Sequence, residues 1–275
     1  MTSTKISTAK AIALSTICLS TFCLVSVAGS LSFLPSANAQ NYGLGLSKSA
    51  GSGGATRGDL PSILLLVPED GAKTLASRPT FYWYVAPASS DAPDSKSAPE
   101  DTIKDTFEVT FILRDSNVSG KKVFEAEGKA DKTGLYKFTL PEDAPELVQG
   151  KVQRWQIRWK KTSGVTSQVD VFAPIRRDDD PAMLNAISSA KNDLEKARAY
   201  AKNAYWYDAI DSYTIWLSQN PKDDVARTER NKLLQEGFKQ HSAFNEEPCK
   251  LTKLQKKLDE NKTAISVDFK TKTLR

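Results

Sequence analysis

Few residues in this chain are of types that carry chemistry, and their spacing narrows what they could do. His241 is the sole histidine and lies in a polar stretch with no recognisable partner motif. It suggests no Ser-His-Asp arrangement, and one imidazole cannot build a zinc site that needs several. Gly51-Ser52-Gly53-Gly54 lacks both the preceding strand and the following Lys-Ser or Lys-Thr pair of a phosphate loop. Acids are plentiful, and Glu108, Glu125 and Asp170 fall within strand-like runs, so sugar hydrolysis by a carboxylate pair stays open as a reading. The spacing names no specific pair. Asp178-Asp179-Asp180 is too compressed for a calcium loop, because consecutive side chains diverge and no spaced oxygen ligands follow. Cys249 is the only cysteine beyond the first 39 residues, and it is expected as a buried small apolar residue ahead of an intermolecular link or a surface thiol. No catalytic, metal or cofactor residues are assigned, and no cofactor is implied.

The aromatic residues carry more information. In Phe81-Tyr82-Trp83-Tyr84-Val85 the alternation sends Phe81, Trp83 and Val85 to one face and Tyr82 and Tyr84 to the other. Trp83, Trp155 and Trp159 run in phase with aliphatic neighbours and are expected in a core. Tyr82 and Tyr84 face away from it, so they are candidates for a ligand or partner surface. Trp206 and Trp216 join them, as residues that cement a helical pair while keeping an edge for docking.

Strands and helices must position these side chains. Strand-like runs are expected at Ile63 to Val67, Pro79 to Val85, Phe107 to Leu113, Lys122 to Ala126, Gly134 to Leu140, Val152 to Lys160 and Val165 to Phe172. In Val152 to Lys160, Trp155, Ile157 and Trp159 alternate with Arg154, Gln156, Arg158 and Lys160, which describes a sheet with one dry and one wet side. Helical periodicity takes over after Arg177. Asp180 caps the first helix, Pro181 takes its first position, and Met183, Leu184, Ile187, Ala190, Leu194, Ala197 and Ala201 form a stripe. A second stripe runs through Trp206, Ala209, Ile210, Tyr213, Trp216 and Leu217, so a helical hairpin turning near Asn203 to Tyr205 is expected. Asn220-Pro221 opens a third helix. The fold class is therefore α+β: an antiparallel immunoglobulin-like β-sandwich followed by a helical hairpin and a third helix.

At the start, Lys5 and Lys10 precede an apolar run from Ala11 through Val27, and Ala37-Asn38-Ala39 fits a signal peptidase cut before Gln40. The expected organisation is a signal peptide over 1–39, a flexible Gly/Ser tether over 40–59, a sandwich over 60–177, a helical unit over 178–240 and a basic tail over 241–275. Loss of Lys5 and Lys10 lowers the formal charge from +5 to +3. That mild excess, in an exported chain, does not suggest nucleic acid. The tail after Glu247 holds eight Lys or Arg against three acids and is read as a solvated end, with a short helix over Leu251 to Leu258 and an alternating Ile265, Val267 and Phe269.

Two resemblances add to this reading. Tyr200, Ala204, Trp206, Ala209, Tyr213 and Pro221 resemble a divergent single tetratricopeptide repeat, although Asp193 and Lys196 occupy its usual Trp and Leu positions and Trp216 replaces a small residue. One unit implies a hairpin rather than a peptide groove. Leu66-Val67-Pro68, Arg78-Pro79-Thr80-Phe81-Tyr82-Trp83-Tyr84, Arg154-Trp155, Val169-Asp170-Val171-Phe172, Tyr200-Ala201 and Trp206-Tyr207-Asp208-Ala209 together resemble an exported cyanobacterial family of uncharacterised function, matched from about Ile63 to Pro221. Lys161-Thr162 and Ala173-Pro174 stand where that family often has a cysteine and a glycine. The resemblance carries over no catalytic residues. It implies export to the periplasm or the outside, with no integral span after signal cleavage. The expected function is non-catalytic envelope binding or scaffolding, with an envelope protein or polysaccharide as partner. A carbohydrate-binding module using Tyr82, Tyr84 or a face of Trp155 is one alternative, and a polysaccharide or cell-wall hydrolase using paired carboxylates is the other.

Overall fold

The computed structural model describes residues 40–47, 60–86, 102–162, 167–245, 248–260 and 263–273. The expected signal peptide over 1–39 and most of the expected tether lie outside the described residues.

Among the described residues ten strands form two sheets. β1 (Ser62–Leu65), β3 (Thr80–Ala86), β6 (Gly134–Thr139) and β9 (Ile265–Ser266) are ordered β1-β3-β6-β9. β2 (Ala72–Thr74), β4 (Thr102–Arg114), β5 (Lys122–Lys132), β7 (Val152–Lys161), β8 (Gln168–Arg177) and β10 (Lys270–Thr271) are ordered β10-β5-β4-β7-β8-β2. Period-two alternation sends Phe107, Val109, Phe111 and Leu113 of β4 and Trp155, Ile157 and Trp159 of β7 to one side, where all are buried. They meet the inward residues of β3 and β6: the Phe81 ring lies 4.9 Å from Phe111 and 4.8 Å from Trp155, and Tyr136 sits between Trp83 and Trp159 at 5.7 Å from each. Tilted and edge-on aromatic pairs of this kind add stability beyond the area they bury.

The sheets are of mixed orientation, which corrects the expectation of a purely antiparallel structure. β2 pairs parallel to β8, and β9 pairs parallel to β6. Parallel neighbours need a long connection, and here the strands between β2 and β8, or the helices between β6 and β9, supply it. At three and two residues, β2 and β9 are too short to leave a periodic trace.

The expected first helix is in fact two, α1 (Pro181–Ser188) and α2 (Asp193–Lys202). Asp180 caps α1 by accepting from Met183 N–H at 2.9 Å, with Pro181 in the first turn as expected. The break follows from Asn192, which accepts from Glu195 N–H at 2.9 Å while the Glu195 carboxylate accepts from Lys191 N–H. Those two bonds, which resemble a capping box shifted by one residue, start a new helix inside an unbroken apolar period. α2 and α3 (Trp206–Gln219) form the helical hairpin, and Ala204 at φ 59° makes the turn. Asn220 closes α3 rather than opening α4 (Asp224–Gly237), whose cap is Asp223. Trp206, Ala209, Ile210 and Tyr213 of the expected stripe are buried, and α3 packs against β3 as well as against α2 and α4.

Both ends of the described chain are held more firmly than expected. The Tyr42 ring lies edge-on to Trp206 at 5.4 Å, Gly43 bridges Ala72, and Gly45 N–H donates to Asp70 at 2.8 Å, so Gln40 to Ser47 is anchored rather than a free tether. The tail beyond Phe238 folds back through α5 (Ser242–Asn245), α6 (Pro248–Glu260), β9 and β10. Leu254 and Leu258 are buried, and Phe269 packs edge-on to Phe138 at 4.7 Å, which corrects the reading of a solvated end. Among the described residues no helix is long and apolar enough to cross a membrane.

Candidate functional site

The four aromatic residues singled out from sequence do not share a surface. Tyr82 is buried, and its hydroxyl donates to Asp211 on α3 at 2.7 Å. Burial and the Asp211 charge push its phenol well above the ordinary tyrosine value. Tyr84 is half-buried and packs against the core. Trp206 is fully buried, its indole N–H donating to Leu66 O at 2.8 Å, and a Cβ at Gly237 would run into its six-membered ring. It has no docking edge. Trp216, half-buried, donates at 2.8 Å to Asp223, the same side chain that caps α4, and so ties the end of one helix to the start of the next. Tyr82 and Trp206 correct the expectation of a binding surface: α3 lies against the face of β3 that alternation alone leaves open, and it buries its own Trp206 in doing so.

Other chemistry-bearing residues are also occupied. Trp155 N–H donates to Tyr207 hydroxyl at 2.8 Å, and that hydroxyl donates to Pro174 O at 3.3 Å. Asp208, at the start of α3, accepts from Leu75 N–H at 3.0 Å, and its carboxyl is pushed up to about 6 by burial, against the opposing pull of hydrogen bonds from Leu75, Thr74 and Ala76. Burial likewise raises Asp211. His241 is buried against the stacked rings of Phe238 and Phe244. Cys249 is exposed, contrary to the expectation of a buried thiol. Two clefts, of about 20 and 30 Å³, are lined in part by Pro68, Phe172 and His241, and by Thr214, Arg227, Arg230 and Asp259. Each has room for a water or two.

The outer face of the six-stranded sheet differs. Its acids are taken by neighbours on the same strand or on the strand beside it. Asp170 accepts from Gln156 at 2.6 Å, Arg158 at 2.8 Å and Gln168 at 2.9 Å, and Glu108 lies 3.6 Å from Lys160. Glu125 pairs with Lys122 and Lys272. At one end of this face the same register sets Arg114 of β4 directly opposite Arg154 of β7. Like charges so placed repel. Among the described residues neither has a carboxylate within ion-pairing distance, and the Nε of each is buried with no hydrogen-bond partner. Arg114 Nη1 donates to Gly120 O at 3.1 Å, and the Arg154 guanidinium lies 4.7 Å from the centre of the Phe172 ring. Burial, then the Arg114 charge, lowers Arg154 below the usual guanidinium value. The turn after Arg114 adds Asn117, whose buried Oδ1 also has no partner, and a largely exposed Val118. Asp115, the acid of that turn, already faces Lys151 at 4.0 Å.

Arg154 was legible as a wet-side residue of its strand. Arg114 was not, because only the pairing of strands 40 positions apart, Arg114 with Arg154, brings the two together. The model of one family, Domain of Unknown Function (DUF928), matches residues 50–248. No curated protein matches the chain.

Proposed function

We propose that this chain, which belongs to the DUF928 family, is a non-catalytic binding or scaffold protein of the cell envelope and binds through the outer face of its six-stranded sheet. The observation that carries this reading is the contrast on that face: its acids are engaged by neighbouring cations and amides, while Arg114 and Arg154 occupy opposed strand positions with no counter-charge among the described residues. A partner that supplies the missing charge gains from it. Export is part of the same proposal and rests on the apolar leader, on Ala37-Asn38-Ala39 and on the resemblance to an exported cyanobacterial family. So is an immunoglobulin-like character. Strand order β1-β3-β6 against β5-β4-β7-β8 supports it, the usual two-sheet split with each sheet drawing on strands from both halves of the sequence. The α2–α3 hairpin, with its single tetratricopeptide-like pattern, then serves as a packing partner for the sandwich. Carbohydrate binding through Tyr82 is the weaker reading, since that ring is committed to Asp211.

A photo-crosslinker tests the surface directly. Placed at Val118, 80% exposed beside the arginine pair, it should trap a discrete adduct in envelope fractions. Placed at Val225, 61% exposed on α4, it should not. The same adducts from both positions, or from neither, would remove this face as the binding surface.

A further inference from the structure

We propose that Arg114 and Arg154 form a phosphoryl-binding site. This rests on the reading of the outer sheet face as a binding surface and names the chemistry that face takes. The register sets Arg114 and Arg154 at opposed positions of neighbouring strands, and among the described residues no carboxylate ion-pairs with either. A carboxylate would cancel one of the two charges. A phosphate monoester carries about −1.5 to −2 charge at neutral pH and offers three acceptor oxygens, so it satisfies both forks at once. The pair is also prepared for an anion in ways that solvated surface arginines are not. Phe172 supports one face of the Arg154 guanidinium, and Gly120 O holds one Nη of Arg114, so little side-chain freedom is left to lose on binding. The Nε groups are turned away from water with no acceptor among the described residues, and neither Arg154 Nη nor the second Nη of Arg114 donates to any of them, so these nitrogens are the part left for a ligand. Further along the face Arg158 is held by Asp170 and Lys160 by Glu108. The vacancy in charge is local to one end of the sheet, which fits a single phosphoryl group rather than an extended polyanion.

The test uses the whole chain lacking residues 1–39 and follows the arginine Nε–H resonances by NMR while inorganic phosphate, glycerol 1-phosphate or acetate is added at constant ionic strength. Phosphate should shift the Arg114 and Arg154 signals saturably and leave Arg158 in place. Arg154→Met should weaken binding by about tenfold, the loss of one charge-assisted contact, while Arg158→Met stays within about twofold. Phe172→Glu, which supplies a built-in counter-charge, should compete with added phosphate. If glycerol 1-phosphate binds as well as inorganic phosphate, the site takes the terminal phosphoryl of a larger molecule. If only inorganic phosphate binds, the site takes the free ion. Acetate matching phosphate, or phosphate shifts that survive Arg154→Met in a chain whose circular dichroism is unchanged, would overturn the assignment. A crosslinked adduct at Val118 that persists in Arg154→Met would then leave the binding surface standing without this ligand chemistry.

Discussion

Two of the arginine pairs among the described residues have opposite surroundings. On α4, Arg227 and Arg230 converge on Asp259 of α6, with Arg227 Nε at 3.4 Å and Arg230 Nη2 in direct contact with the same carboxylate oxygen. Arg230 is buried there, and it donates further to Asn231 at 3.0 Å. At the sheet end, no carboxylate among the described residues ion-pairs with Arg114 or Arg154, and the Nε of each is buried without a partner. The first pair joins two helices, so its charge is balanced within the chain. The second joins nothing, and its charge is balanced only from outside. The difference separates a structural ion cluster from a binding feature more clearly than the presence of arginine does.

Breaking the helical pair should give the largest effect. Asp259→Ala leaves Arg230 buried without its anion and should lower unfolding free energy by about 3 kcal/mol in urea titrations. Replacing Asp259 and Arg230 together by leucine and methionine should recover most of that loss, because the cost lies in the stranded charge. A double replacement as unstable as the single would mean that the cluster contributes specific bonds rather than mere neutralisation.

The next effect is on pH dependence and involves Asp208, another charge buried where α3 meets the strands. Its carboxyl titrates at about 6 when folded, against 3.8 for the unreacted group. The native state therefore holds the proton more tightly, so this contribution to stability is fully present below the unfolded value and is lost as pH rises through about 6. Asp208→Asn, which keeps an acceptor for Leu75 N–H, should gain on the parent by on the order of 2 kcal/mol between pH 4 and pH 7. Equal displacement of the denaturation midpoints at both pH values would exonerate Asp208.

Tyr207→Phe removes the acceptor for Trp155 N–H deep in the same junction and should cost about 1.5 kcal/mol, read as a lowered urea midpoint with an unchanged slope. Arg154→Met should be the mildest, within about 0.5 kcal/mol or slightly stabilising, since it relieves like-charge crowding and breaks no ion pair. A loss as large as that from Asp259→Ala would place the sheet-end pair among the structural clusters and end the contrast.

Local patterns were readable in the sequence, while what the pairing of distant segments decides was not. The alternation of Trp155, Ile157 and Trp159 and the Asp180-Pro181 cap appear in the structure as their spacing suggests, because strand pleat and helix cap are set by residues a few positions apart. Tyr82 departs from its expected exposure for the same reason. Alternation shows that it faces away from Trp83, but nothing nearby says that α3 lies against that second face. Arg114 and Arg154 meet only through β4–β7 register, and β2 is too short to reveal its pairing with β8. The composition of Gln40 to Ser47 suggested slack chain, yet one aromatic, Tyr42, found a partner about 160 positions away in Trp206.

That last contact bears on where the chain can be cut. A version beginning at Leu60, the start that glycine content invites, would strip a wall from the Trp206 indole and remove the Tyr42 hydroxyl that reaches Glu236 at 3.5 Å. It would also discard the Gln40 amide bound to Lys202 O at 3.0 Å, the last carbonyl of α2. The shortest version that keeps the helical layer sealed begins no later than Gln40.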